Sequence, residues 1–314
     1  MQTESLNEQP LQKRVRTGVR FLDHSILSRG DWSKNKTRFQ ESMDWVAPHL
    51  TGGIGNRLFE YAAAAGLAEK WGCRAVFFLP RCRSTDHGPF DNIFKLFPAV
   101  PIIESADAWT TLDEMRDSMY RYIPFPEVPI TPSVIHGYRQ SEKYFPSTGI
   151  VPDFEAALGA EVAAMIRSKV PEGAWFVHVR LGDYKILPHH QVNLTGYYAG
   201  CLNKVPRGAP LILFSDEPEL CSEYFMIEAG SRSLDFSVCS SKDELVNLYM
   251  MSLCGGGAIT ANSTFSWWGA YFAHQNAGPT FQAFYPSVWG QGMPPPVDLI
   301  PCWGVCVDID GESE

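Results

Sequence analysis

Residues 241–269 read Ser241-Lys242-Asp243-Glu244-Leu245-Val246-Asn247-Leu248-Tyr249-Met250-Met251-Ser252-Leu253-Cys254-Gly255-Gly256-Gly257-Ala258-Ile259-Thr260-Ala261-Asn262-Ser263-Thr264-Phe265-Ser266-Trp267-Trp268-Gly269. Ser241 to Glu244 matches a capping box, Leu245, Leu248, Tyr249 and Ser252 follow at helical spacing, and Gly255 stops the helix. Residues 258–261 form a short buried strand, after which Asn262-Ser263-Thr264 opens a second helix. Helix, glycine stop, strand and capped helix in direct succession predict a mostly parallel sheet.

The same alternation extends in both directions. Upstream, residues 154–169 read as an amphipathic helix, 175–180 as a strand, 196–205 as a helix and 211–215 as a strand. In the first half, a glycine turn at 51–56 precedes a helix marked by Leu58, Ala62, Ala65 and Glu69, which Trp71-Gly72 ends. Residues 75–79 are then a short strand closed by Pro80, and 133–138 another. Residues 80–133 hold much of the proline and take no clear order. Residues 139–145 start a helix or crossing segment, and Pro146 and Pro152 mark a boundary. The expected organisation is α/β: a polar N-terminal arm (1–45), an N-terminal α/β domain (46–150), a C-terminal Rossmann-like domain (151–300) and a tail (301–314).

Composition narrows the function classes. The chain has 314 residues, with 26 Lys+Arg against 35 Asp+Glu and a net charge of −9. That balance lacks the broad basic footprint of a nucleic-acid binder. Eight cysteines without a Cys-x-x-Cys pair fit buried or half-buried thiols in a reducing compartment better than a disulfide scaffold or a zinc site. Residues 1–30 contain no apolar run of signal-peptide length. Residues 245–297 carry no Asp, Glu, Lys or Arg, yet Asn and Gly interrupt them before any span of about 18 apolar residues is reached. They read as interior or as a crevice wall, and the chain reads as cytoplasmic. Sequons begin at Asn35, Asn193 and Asn262; a glycan on the last would obstruct its own turn.

Three turns could carry chemistry. In Phe176-Val177-His178-Val179-Arg180-Leu181-Gly182-Asp183, alternation brings His178 and Arg180 to the carboxyl end of a strand, where Gly182 turns the chain beside Asp183. Ligands of parallel sheets sit there, and a guanidinium offers forked donors to phosphate. The plainer alternative is a surface Arg180 paired with Asp183. At Asn262-Ser263-Thr264-Phe265, a helix N-terminus presents amides and hydroxyls to an anion, or is simply capped; Trp267 and Trp268 read as core. Gly52-Gly53-Ile54-Gly55-Asn56 permits close approach of a phosphate or sugar, or only a tight turn. No Walker A motif is present, and the only Asp-x-Asp, at Asp308 and Asp310, reads as a solvated tail, so no metal is expected.

Residues 51–61, 136–145 (His136-Gly137-Tyr138-Arg139-Gln140-Ser141-Glu142-Lys143-Tyr144-Phe145), 178–184 and 261–269, in that order, resemble the motifs of the α1,2-fucosyltransferases of glycosyltransferase family 11. The resemblance runs from about residue 49 to about 285. It implies two facing Rossmann-like domains of GT-B type and an inverting, metal-independent transfer of L-fucose from GDP-fucose to a sugar hydroxyl. Arg180 would hold the β-phosphate, Ser263, Thr264 and Phe265 would contact the nucleotide, and Asn56 would lie near the donor. With Gly53, Gly55, His178, Gly182, Asn247 and Asn262 these form the expected donor site. His178 and Asp183 are the candidate general bases, with base-free transfer as the alternative. The chain departs from the family pattern at Leu181, at Arg57, where Gln is usual, and at Asn247, where Asp is usual; an amide at 247 accepts only part of the guanine N1 and N2 pairing. Another linkage, another GDP-sugar donor and a non-catalytic carbohydrate-binding relative are the alternatives.

Overall fold

The computed structural model describes residues 14–15, 44–82, 88–114 and 119–310; most of the expected N-terminal arm and the end of the tail lie outside them. The N-terminal half is built on a five-stranded sheet ordered β1-β6-β7-β2-β3, from β1 (Arg14–Val15), β2 (Trp45–Pro48), β3 (Arg74–Ala75), β6 (Ala108–Leu112) and β7 (Ser133–Ile135). All its pairings are parallel except β1 with β6. A separate parallel pair joins β4 (Phe77–Phe78) to β5 (Ile102–Ile103). Helix α1 (Ile54–Trp71) crosses from β2 to β3, and Gly72 ends it at φ +64°, donating to the Ala68 and Glu69 carbonyls. Helix α2 (Asn92–Leu96) lies within the stretch that the sequence left unordered.

The C-terminal half carries six parallel strands ordered β10-β9-β8-β11-β12-β13: β8 (Trp175–Val179), β9 (Pro210–Ser215), β10 (Asp235–Val238), β11 (Gly257–Ile259), β12 (Gln282–Pro286) and β13 (Val305–Val307). Helices α5 (Thr195–Leu202) and α6 (Pro218–Ser231) pack on one face, burying Tyr197, Tyr198, Leu202 and Phe225 against Val177 and Leu213. Helices α7 (Glu244–Ser252) and α8 (Thr264–Ala277) cover the other with Leu248, Trp267 and Trp268. From β8 the chain proceeds outward to β9 and β10, then returns to place β11 on the opposite side of β8. The carboxyl ends of β8 and β11 therefore flank the switch point, where α/β sheets open a crevice.

Three local expectations are corrected. Residues 154–169 are two helices, α3 (Phe154–Leu158) and α4 (Ala160–Lys169), because Gly159 at φ +86° closes the first and caps the second. Helix α7 is capped by Asp243, whose carboxylate accepts from the Leu245 and Val246 amides, rather than by Ser241 in a capping box; Glu244 turns instead to Asn92 Nδ2 at 2.8 Å. Residues 305–307, expected in a tail, pair with β12 as the outer strand of the sheet. The cysteines behave as expected of thiols in a core: Cys201, Cys221, Cys239 and Cys254 are buried and Cys302 alone is exposed.

The two halves share one apolar seam. Phe59 of α1 packs its ring 4.5 Å from Trp267 and 5.1 Å from Trp268, and Phe145 stacks on Trp268 at 5.1 Å. Trp267 and Trp268 are fully buried, as expected of core residues. No described helix is long and apolar enough to cross a membrane.

Candidate active site

At the seam the N-terminus of α1 meets the N-terminus of α8. Gly53 caps α1 without a side-chain bond, and the first turn holds no acidic residue. Gly55 explains the close approach, because a Cβ there would stand 2.6 Å from Thr264 Oγ1 and 2.7 Å from the Phe265 nitrogen. One residue on, Asn56 Oδ1 accepts from Thr264 Oγ1 at 3.0 Å and from Gln140 Nε2 at 3.0 Å. Ser263 caps α8 by accepting from the Phe265 amide. Both positive helix ends thus point into one region, a setting that favours a bound anion.

Arg180 stands just past the end of β8, its guanidinium 5.9 Å from the ring of Tyr184, whose hydroxyl donates to the Asn262 backbone carbonyl ahead of α8. Arg180 Nε and Nη2 donate to Asp183 Oδ1 at 2.9 and 2.8 Å, and Nη1 meets Asp216 Oδ2 at 3.1 Å. The expected pairing with Asp183 is present, and Asp216 adds a second carboxylate that sequence reasoning missed. Its signal was positional: Asp216 immediately follows β9, the parallel neighbour of β8. Asp216 also accepts from the Leu181 amide, and Gly182 leaves room for it, since a Cβ there would lie 2.5 Å from Asp216 Oδ2. The two carboxylates fix the guanidinium and leave N–H groups on its terminal nitrogens for a further acceptor.

His178 is buried between these groups, its ring 5.7 Å from that of Phe265. Burial first, then the neighbouring Arg180 charge, push its pKa down to about 3 against the opposing pull of Asp216. A histidine that stays neutral when folded but ordinarily titrates near 6.5 makes the unfolded chain the better proton binder between those values. Stability should therefore fall as pH drops through that window. A denaturant series from pH 7 to 4 checks this, and His178→Gln should remove one proton's share of the slope.

The remaining predicted residues divide by what their side chains already do. Asn262 Nδ2 donates to the His190 and Trp289 carbonyls, and the Asn262 backbone carbonyl accepts from the Tyr184 hydroxyl, so it ties the α8 turn to the segments that hold His190, Trp289 and Tyr184. Asn247 sits on α7 with Nδ2 on the Ser241 carbonyl and Oδ1 facing the Cys239 thiol. Arg57 is buried on α1, stacked 4.6 Å over Phe90 and donating to the Pro89 carbonyl, with Glu244 its largest charge partner. The Asn92–Glu244 hydrogen bond ties the halves together on the α7 side. A cavity of about 700 Å³ opens on the α5 and α6 side of Arg180, lined by Tyr184, Lys185, Tyr198, Leu220 and Tyr224. Among the described residues no three His, Cys, Asp or Glu side chains are grouped to hold a metal ion.

No family model matches the chain. An α-1,2-colitosyltransferase of Escherichia coli is 27% identical over 278 positions, covering 79% of this chain and 93% of that protein. The O-antigen biosynthesis glycosyltransferase WbnK of Escherichia coli is 31% identical over 102 positions, 30% of this chain and 33% of its own. Among solved structures, the α-1,6-fucosyltransferase NodZ co-crystallised with GDP matches 73% of this chain and 92% of its own at 16% identity and TM-score 0.44. POFUT1 in complex with GDP matches 77% and 99% at 10% identity and TM-score 0.44. The two mostly parallel α/β halves are those expected from the sequence, and the similarity to the α-1,2-colitosyltransferase spans most of the chain.

Proposed function

We propose that this protein is an inverting glycosyltransferase that moves L-fucose from GDP-fucose to a sugar hydroxyl, in α1,2 linkage to galactose or a related residue. The carrying observation is that Arg180, just past β8, and the N-terminus of α8, just past β11, flank the β8/β11 switch point, while the N-terminus of α1 packs against that of α8. Departure of GDP leaves negative charge on the diphosphate, and preorganised donors aimed at that charge lower the barrier most. Arg180, Ser263, Thr264 and the amides of α8 supply such donors without a metal, and Asn56 with Gly53 and Gly55 form the opposing wall. Asn247 would read guanine only by exchanging one of its bonds to the Ser241 carbonyl and the Cys239 thiol.

A specific observation favours one second reading. The relative aligned along most of the chain is named for colitose, which is fucose without its 3-hydroxyl, so GDP-colitose is the competing donor. Calorimetry with GDP comes first, because a non-catalytic carbohydrate binder gives no heat. Initial rates with GDP-fucose and GDP-colitose against a panel of galactosides, with linkage assigned by NMR, then identify donor and acceptor. The rate is expected to survive EDTA; complete loss restored by Mg²⁺ or Mn²⁺ would require a metal. The compartment that supplies such a nucleotide sugar directly is the cytoplasm, and fractionation of the native source tests it.

A further inference from the structure

Transfer to a hydroxyl releases a proton, and the groups beside Arg180 are poorly placed to take it. The His178 imidazole is buried, its Nδ1 unpartnered, with a cation beside it. Asp183 Oδ1 is already engaged by two nitrogens of Arg180. The opposite wall offers a better group.

There the N-terminal sheet ends in one row. Leu112 of β6 and Pro48 of β2 both pair with Ile135 of β7, so the next residues, Asp113, His49 and His136, leave three adjacent strands side by side. Backbone bonds carry the register past the strands: His136 donates to the Leu112 carbonyl, His49 to that of Ile135 and Glu114 to that of His136. The His136 ring lies 4.7 Å from the His49 ring, with its Nδ1 2.9 Å from Asp113 Oδ1 and half its side-chain surface open. The loop that continues from it runs to the site itself. Tyr138 bonds to the Thr51 and Asn56 side chains, and Gln140 donates to the Asn56 oxygen that Thr264 of α8 also shares.

We propose that His136 is the general base of the transfer and that Asp113 is its positioning residue; the assignment rests on the reaction proposed above. With the carboxylate on Nδ1 the ring carries its proton there, so Nε2 keeps the lone pair that accepts. In the step, the acceptor O–H proton passes to Nε2 as its oxygen bonds the anomeric carbon. The bond from that carbon to the β-phosphate oxygen breaks, its electron pair leaving with GDP. The imidazolium is stabilised by Asp113 and then loses its proton to water. The charged or titratable groups facing the ring are Asp113 and Glu114 after β6 and His49 after β2, with Arg139 further along its own loop.

The test uses the full chain with the donor and acceptor that the wild type turns over. His136→Gln should lower kcat by at least about 100-fold with GDP affinity and donor KM unchanged. It should also abolish the acid limb of the pH–rate profile, which arises because a protonated imidazole cannot accept. His136→Ala should regain rate on addition of imidazole, whereas Asp113→Asn, which loses the tautomer lock, should show a reduced kcat with donor KM unchanged. Near-normal turnover of His136→Gln with its acid limb intact overturns the proposal. Loss of GDP binding in both His136 variants, without rescue, overturns it too, because the role would then be structural. A wild type that binds no GDP and transfers nothing refutes the function reading instead, so the two failures are distinct.

Discussion

Arg180→Ala is expected to reduce transfer by at least about 100-fold while leaving the melting temperature nearly unchanged. The first part follows from the loss of a preorganised cation at a leaving diphosphate, a position where single donors are worth two to three orders of magnitude in rate, about 10²–10³-fold. The ion-pair geometry makes the effect larger than removal of one charge. Without the guanidinium, Asp183 and Asp216 would both face the diphosphate and repel it. Arg180→Ala combined with Asp216→Asn should therefore recover part of the GDP affinity that Arg180→Ala loses. Arg180→Lys should remain impaired, since one ammonium cannot satisfy two carboxylates and a phosphate in a fork. The small stability effect follows from exposure, because all three side chains are only partly buried and water can solvate what remains. Near-normal turnover with a normal melt would remove Arg180 from the mechanism.

The second large effect is expected at Gly55. A methyl there would press on Thr264 Oγ1 and on backbone of α8, neither of which is the loose end of a flexible side chain. Gly55→Ala must shift the two helix ends apart, at about 1–3 kcal/mol of stability. It should also abolish detectable GDP binding, since the shared Asn56–Thr264 bond and both helix N-termini frame that site. Gly66→Ala is the control. Its Cβ would stand 1.9 Å from the Tyr144 carbonyl, about three turns further along the helix, so it should cost comparable stability yet leave GDP affinity of the folded fraction intact. Thermal melts and calorimetry on both variants separate the local effect from the global one. Unchanged GDP binding by Gly55→Ala would detach the helix contact from the site.

In the C-terminal half β8, β9 and β11 were legible because each is a short apolar run bounded by a glycine or a capping residue, as at Gly257 and Ser263, whereas the largely exposed β10 and the outer strands β12 and β13 were not. Arg180 and the α8 turn could be picked out for the same reason: both stand at the carboxyl end of a readable strand. Residues 80–133 resisted because β5 is two residues long and β6 is partly exposed, so neither strict alternation nor a sustained apolar run marks them. Their order is set by parallel pairing with distant strands, information no local window contains. The carboxylates around the site were hidden likewise. Asp216 meets Arg180, and Glu244 meets Asn92, only after the chain has folded across the sheet or the seam. Asp113 and His136 become a pair through the β6–β7 register, which the sequence does not spell out.

The ring-on-ring packing of Phe59 and Phe145 with Trp267 and Trp268 bears on how the molecule comes apart. Neither sheet can shed its partner without opening two buried indoles to water, the kind of exposure that couples neighbouring regions into a single transition. A scanning calorimeter should record one heat-absorption peak, with calorimetric and van't Hoff enthalpies equal, for a chain whose two sheets would suggest a pair of melts. The same welding limits how entry to the crevice is gained: the halves cannot swing wide about this seam, so traffic of sugar and nucleotide falls to the segments at its rim.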